Sequence, residues 1–156
     1  MVVLLLKCLL VIVLALLLVG AGRTWQMEHG GEQESFSKGV APVPLPDGFY
    51  AGSVPGHTVL WLGKKFDAAN QGGINVFDEA GKKNERYPFA TSVGPGLRDA
   101  TLQVVKIDYD IPGNPFWLRF ILDEIVQIAP DHYLGKLHIR IIPGYPFTLA
   151  YFELKK

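Results

Sequence analysis

From Asp47 onward, glycine and proline cut this chain into short runs. Turn-forming clusters stand at Ala68-Ala69-Asn70-Gln71-Gly72, Glu79-Ala80-Gly81-Lys82, Gly94-Pro95-Gly96, Pro112-Gly113-Asn114-Pro115, Pro130-Asp131 and Pro143-Gly144. Such residues favour turns and stop helices. Between them the spacing predicts strands over Phe49–Ser53, His57–Phe66, Gly73–Phe77, Arg86–Val93, Thr101–Asp110, Trp117–Ile128, Tyr133–Ile142 and Pro146–Leu154. About eight short strands without a convincing helix mean an all-β fold. Short connections favour a single antiparallel up-and-down β-barrel, with a β-sandwich as the alternative.

An N-terminal hydrophobic segment precedes this region. It runs from Met1 to Gly22 with Lys7 as its one charge, and ends on the small residues Val19-Gly20-Ala21. Two readings stand. As a signal peptide over residues 1–21, Lys7 is the positive n-region and cleavage follows Ala21. As an uncleaved anchor, the segment supplies the roughly 20 apolar residues a membrane span needs. The expected localisation is therefore secreted or periplasmic, or membrane-anchored by an uncleaved helix. Residues 22–46 are polar at first, then carry Pro42, Pro44 and Pro46, and read as a flexible linker. Residues 47–156 form the barrel domain, enough for one core and too few for two.

Composition narrows the partners. The formal charge is zero and no basic stripe exists, so nucleic acid is not expected. The single cysteine, Cys8, lies in the leader, so the domain has no disulfide and depends on its core. His29, His57, His132 and His138 form no ligand-spaced pair, and no metal or cofactor is expected. Gly94-Pro95-Gly96-Leu97-Arg98-Asp99 resembles a phosphate loop, yet no helix pattern follows it, and a plain turn is the better reading.

One hairpin can be placed in register. In Trp117–Ile128 the even positions Leu118, Phe120, Leu122, Val126 and Ile128 are apolar; in Tyr133–Ile142 the odd positions are. A four-residue turn over Ala129–His132 aligns these faces, placing Leu122 opposite Ile139 and Asp123 opposite His138. Glu124 is then the only charged side chain on the inward face. A buried carboxylate must find a cation, take up a proton or meet water. Its expected role is a polar anchor or acid at a cavity floor, or else half of an internal ion pair, with Lys64 and Arg98 as candidate partners. Asp123 and His138 read as an exposed cross-strand pair rather than a catalytic dyad.

Trp61-Leu62-Gly63-Lys64-Lys65-Phe66, a Trp near the end of the first long strand followed by Gly, resembles the plug of lipocalin-like (calycin) barrels. That family places Gly two residues before the Trp, where this chain has Val59, and lays a late-strand Arg across it, for which Arg140 is the positional candidate. The segments Trp61–Phe66, Asn114-Pro115 to Val126 and Tyr133–Lys136 are also similar to a family of small bacterial proteins, a likeness that implies no activity. The calycin resemblance implies a small apolar ligand, such as a lipid, inside the barrel. The expected lining is Trp61, Phe120, Leu122, Glu124 and Leu137. The expected function is binding of an apolar or amphipathic small ligand without catalysis. The alternatives are a small isomerase or hydrolase using Glu124 as acid or base, and a structural or partner-binding domain with a filled core.

Overall fold

The computed structural model describes every residue from Met1 to Lys156. Two helices, α1 (Val2–Glu28) and α2 (Gly31–Ser37), precede eight strands. These are β1 (Gly48–Ser53), β2 (Trp61–Asp67), β3 (Gly72–Glu79), β4 (Lys82–Pro95), β5 (Gln103–Asp108), β6 (Ile121–Ala129), β7 (His132–Ile139) and β8 (Phe147–Lys155). Each strand pairs antiparallel with the next, and β8 closes on β1. The fold is thus a closed up-and-down barrel, not a sandwich, and closure leaves no unpaired edge. The β1–β2, β3–β4, β5–β6 and β7–β8 connections share one end, here the upper end; the others lie at the lower end.

The turn chemistry does what the sequence predicts. Ala80 and Gly81 both have positive φ in the β3–β4 turn, the geometry a two-residue hairpin requires. At Gly63 φ is +137°, and a Cβ there would stand 2.0 Å from the Tyr50 carbonyl oxygen. Glycine is therefore required where β2 bulges behind Trp61.

The β6–β7 register differs from the expectation by one residue. Leu122 lies opposite His138 and Asp123 opposite Leu137. The cause is a bulge. Ala129 pairs with His132, as the expected register requires, but Ile128 is extruded and Gln127 pairs with Tyr133. From there on the odd residues of β6 face the lumen. Parity could not reveal this, because Leu122 through Val126 are all buried: β6 has protein on both faces. Trp117–Phe120 is not strand either; Leu118–Phe120 forms a 3-10 turn.

The second layer comes from a segment read as linker. Residues 22–46 are not an open tether. α1 continues to Glu28, and α2 buries Phe36 completely against Val104, Val126, Leu134 and Tyr151 on the outer face of the barrel. One aromatic ring supplies the buried apolar part of α2's anchorage, which is why no apolar period announces it. Val40 then bridges to Gln127 near the lower end.

The first half of α1 behaves differently. It is apolar all round, its best 18-residue window has a mean hydropathy of 3.3, and none of that window is buried. Such a helix fits a signal sequence or a membrane anchor. Gly20 lies beside the Phe147 ring at the upper end of β8. Arg23 Nε then donates to the Leu149 carbonyl (2.8 Å), and Thr24 Oγ1 accepts the Thr148 N–H (3.0 Å).

Candidate ligand-binding cavity

The lumen is filled below and open above. Tyr50, Phe66, Phe89, Ile107, Ile125, Tyr133 and Leu154 pack the lower part. Gly135 makes room for this packing: a Cβ there would meet the Phe152 ring at 2.1 Å. Above lies a cavity of about 360 Å³. Its walls include Val54, Val59, Trp61, Phe77, Trp117, Leu118, Ile121, Leu137 and Phe152. Thirteen of its sixteen lining residues are hydrophobic, so the three others define its polar chemistry, together with one tyrosine hydroxyl.

Those groups are Lys64 on β2, Asn75 on β3, Asp123 on β6 and Tyr109 just after β5. Lys64 Nζ lies 2.9 Å from Asp123 Oδ2, donates to Asn75 Oδ1 at 3.0 Å, and donates to the Tyr109 hydroxyl. Tyr109 in turn faces Asp123 Oδ2 at 3.2 Å, and Asn75 Nδ2 donates to the Tyr87 carbonyl and the Tyr109 oxygen, each at 3.0 Å. Four rings surround the ammonium: Trp61, Phe89, Tyr109 and Phe152, with centroids 5.1–5.3 Å away. Their faces supplement the charge pairing.

Burial lowers the Lys64 pKa, and the Asp123 carboxylate opposes that shift. Burial first, and the Asp123 charge second, push the Tyr109 phenol well above its ordinary value. All three Lys64 protons have acceptors. Asp123 Oδ1, by contrast, is buried and has no hydrogen-bond partner. It is an unsatisfied acceptor just beneath the cavity floor, on a residue that lines the cavity.

The expected site residues divide. Trp61 and Leu137 line the cavity. Trp61 stands in the wall rather than closing an end, and its Nε1 donates to Asn75 Oδ1 (3.1 Å). Phe120 does not line it: it lies exposed in the 3-10 turn, beside a surface groove with Arg119 and Arg140. Arg140 turns outward, donating twice to Asp108, and does not cross Trp61.

Leu122 and Glu124 are on the outer face and do not line this cavity. Glu124 is fully buried: Oε1 accepts the Leu97 N–H (2.6 Å), and Oε2 faces His138 Nε2 (3.2 Å). The expected Asp123–His138 pair is not formed. His138 is fully buried, and its Nδ1 faces Thr148 Oγ1 at 3.2 Å.

This outer cluster continues into the helices. Thr148 Oγ1 donates to Glu28 Oε1 (2.8 Å), and the buried Lys136 pairs with Glu28 (3.0 Å) and Asp99 (2.7 Å). Gln33 on α2 donates to Asp99 and accepts from the Tyr151 hydroxyl, both at 2.6 Å. Burial, then the Glu28, Asp99 and Glu32 charges, push the Tyr151 phenol up. Every member is engaged, which makes the cluster a fastening for α1 and α2.

The cavity floor was the part hidden from the sequence. Its signal is present: Lys64 shares parity with Leu62 and Phe66, Asp123 with Ile121 and Ile125, and Asn75 with Gly73 and Phe77. A lone cation and a lone anion, each flanked by apolar residues two positions away, are complementary.

No protein-family model matches the chain, and comparison with characterised proteins finds no relative. Among solved structures, the chain is similar to the crystal structure of a protein from Thermomonospora curvata, with a TM-score of 0.56 and 17% identity. The match covers 80% of this chain and 84% of that one. At this identity the likeness speaks to the fold alone.

Proposed function

We propose that the protein is a membrane-tethered barrel that binds an uncharged amphiphile, an apolar body carrying a hydroxyl or similar donor, in the upper lumen. One observation carries this reading: an apolar chamber ends on a Lys64–Asp123 pair whose Asp123 Oδ1 lacks a partner. A few polar groups at the end of an apolar cavity is the usual form of a small-molecule site. The pair is neutral as a whole, so a ligand headgroup meets a hydrogen-bond acceptor rather than a net charge. The three Lys64 protons are all in hydrogen bonds, leaving the amine no lone pair for nucleophilic work, and this favours binding over turnover. The tether rests on α1, whose last turns are fastened to β8 on both sides of Ala21.

The test is displacement of the fluorescent apolar probe N-phenyl-1-naphthylamine from the full chain in detergent-free nanodiscs. 1-Decanol should compete better than decane by roughly tenfold, the effect of one hydrogen bond to a charged group. Decanoate should compete worse than decanol, because its carboxylate would face Asp123. Leu137→Trp, which fills the chamber, should abolish probe binding. Equal competition by decane and decanol would remove Asp123 from the reading, and unchanged probe binding in Leu137→Trp would remove the chamber.

A further inference from the structure

The exposed apolar residues of the barrel are unevenly distributed. Leu60 (73% exposed) and Val59 stand in the β1–β2 loop, Phe116 (77%) and Trp117 in the β5–β6 loop, and Ile141 and Tyr145 in the β7–β8 loop. These three loops share the upper end, because alternate connections of an up-and-down barrel emerge on the same side. The cavity opens at that end, between Val54 and Val59 on one side and Trp117 and Leu118 on the other.

α1 leaves from the same end. Its contacts with β8 fall on the first three residues of that strand, Phe147, Thr148 and Leu149, at the upper end. Gly20 touches Phe147 at the top of β8, Glu28 reaches Thr148 and Lys136, and the chain after α2 bridges to Gln127 near the bottom. Followed backwards from Gly20, the helix therefore leaves the barrel at the upper rim. Its apolar stretch from Val2 to Val19, exposed except at half-buried Leu17, is about 27 Å long at ~1.5 Å per residue, close to the ~30 Å hydrocarbon core of a bilayer. Lys7 has a stem long enough to carry its charge to the far interface.

From this we infer that the upper loops rest on the bilayer that α1 spans, so that the mouth of the barrel faces the membrane surface. The inference rests on the tethered reading proposed above. Leu60, Phe116, Trp117, Ile141 and Tyr145 form an apolar and aromatic rim of the kind favoured at headgroup depth, where amphipathic rings sit. The partner is a lipid bilayer, and the ligand class follows from it: an amphiphile that partitions into the leaflet reaches the chamber without crossing water.

The experiment places one environment-sensitive nitrobenzoxadiazole label at a time on the full chain in vesicles of phosphatidylcholine and phosphatidylglycerol. The native Cys8 reports on α1. Leu60→Cys, Phe116→Cys and Ile128→Cys, each with Cys8→Ser, report on the upper rim and the lower end. Headgroup-borne and shallow acyl nitroxides are the quenchers. The expected result is strong quenching at Leu60 and Phe116 and none at Ile128, with deep acyl nitroxides quenching Cys8. Leu60 and Phe116 labels as unquenched as Ile128, in vesicles where Cys8 is quenched, would overturn the docked mouth and leave the tether standing. An unquenched Cys8 would overturn the tether and the docked mouth together. Leu60→Asp combined with Phe116→Asp should release a label at Ile141→Cys from quenching without releasing the protein from the vesicle. Continued quenching at Ile141 would show that these loops do not hold the rim down.

Discussion

Lys64 and Asp123 meet across the full width of the lumen, from β2 and β6, half a circuit apart in the barrel, with 2.9 Å between Nζ and Oδ2. Both are almost inaccessible to solvent. Removing one partner leaves the other charged and buried. Lys64→Met or Asp123→Leu alone should lower stability by about 3–5 kcal/mol in urea unfolding. The double variant should recover most of that loss, because neither charge then needs solvation. A double variant as unstable as the sum of the singles would show that the two groups do not act as a pair.

Alkaline pH should unfold the protein through its tyrosines. Tyr109, Tyr133 and Tyr151 are all held above the ordinary value of 10.0, chiefly by burial. A phenol raised in the folded state binds more protons folded than unfolded once pH exceeds 10, so its stabilising contribution is complete below that pH and falls above it. Lys64, lowered in the folded state, acts in the opposite direction: stability rises as pH climbs from its folded value toward 10.5, and no further gain follows. The net slope above pH 10.5 is therefore negative. Ultraviolet phenolate absorbance should show part of the tyrosines ionising only with loss of near-ultraviolet circular dichroism. All tyrosines titrating together below the unfolding transition would contradict these burials.

Phe36 should behave as a core residue although it precedes the barrel. It has no exposed surface and fills the layer between α2 and the sheet. Phe36→Ala should cost about 3–5 kcal/mol. Val43→Ala, at a site 86% exposed, should stay within about 0.5 kcal/mol. Equal effects would return residues 22–46 to the status of a tether.

Glu124→Gln separates the two faces of β6. A glutamine has one acceptor, whereas Glu124 meets both the Leu97 N–H and the His138 ring. The carboxylate that faces the His138 ring is replaced by a neutral amide, at about 1–3 kcal/mol in denaturant unfolding. Probe binding in the chamber should not change, since Glu124 does not line it. A binding defect at constant stability would place Glu124 in the lumen after all.

The architecture was legible because it depends on turns. Ala80-Gly81 and Pro130-Asp131 declare their hairpins, and the eight strands follow. The site was less so, and the reason is local. Ile128 bulges out of β6 at a point where both faces of the strand are apolar, so Leu122 and Ile125 carry no sign of which side is the lumen. One extruded residue exchanges Glu124 for Asp123 at the cavity floor. The placing of Trp61 and Leu137 did not depend on that choice, and both line the cavity. The docking of α2 rests on one ring, Phe36, and one amide, Gln33, below the threshold of any periodic pattern.

The unbroken passage of α1 from the exposed stretch to the Thr24–Thr148 contact has a mechanical consequence. If the helix stays in the bilayer, it has no swivel at its base: the barrel tilts as the helix tilts. Helix tilt responds to the mismatch between span length and hydrocarbon thickness. A thin bilayer would lean the barrel and press one arc of its rim into the headgroups, and a thick one would stand it upright. Membrane thickness would then set how deeply the mouth sits, converting a bulk property of the lipid into the angle of a single protein.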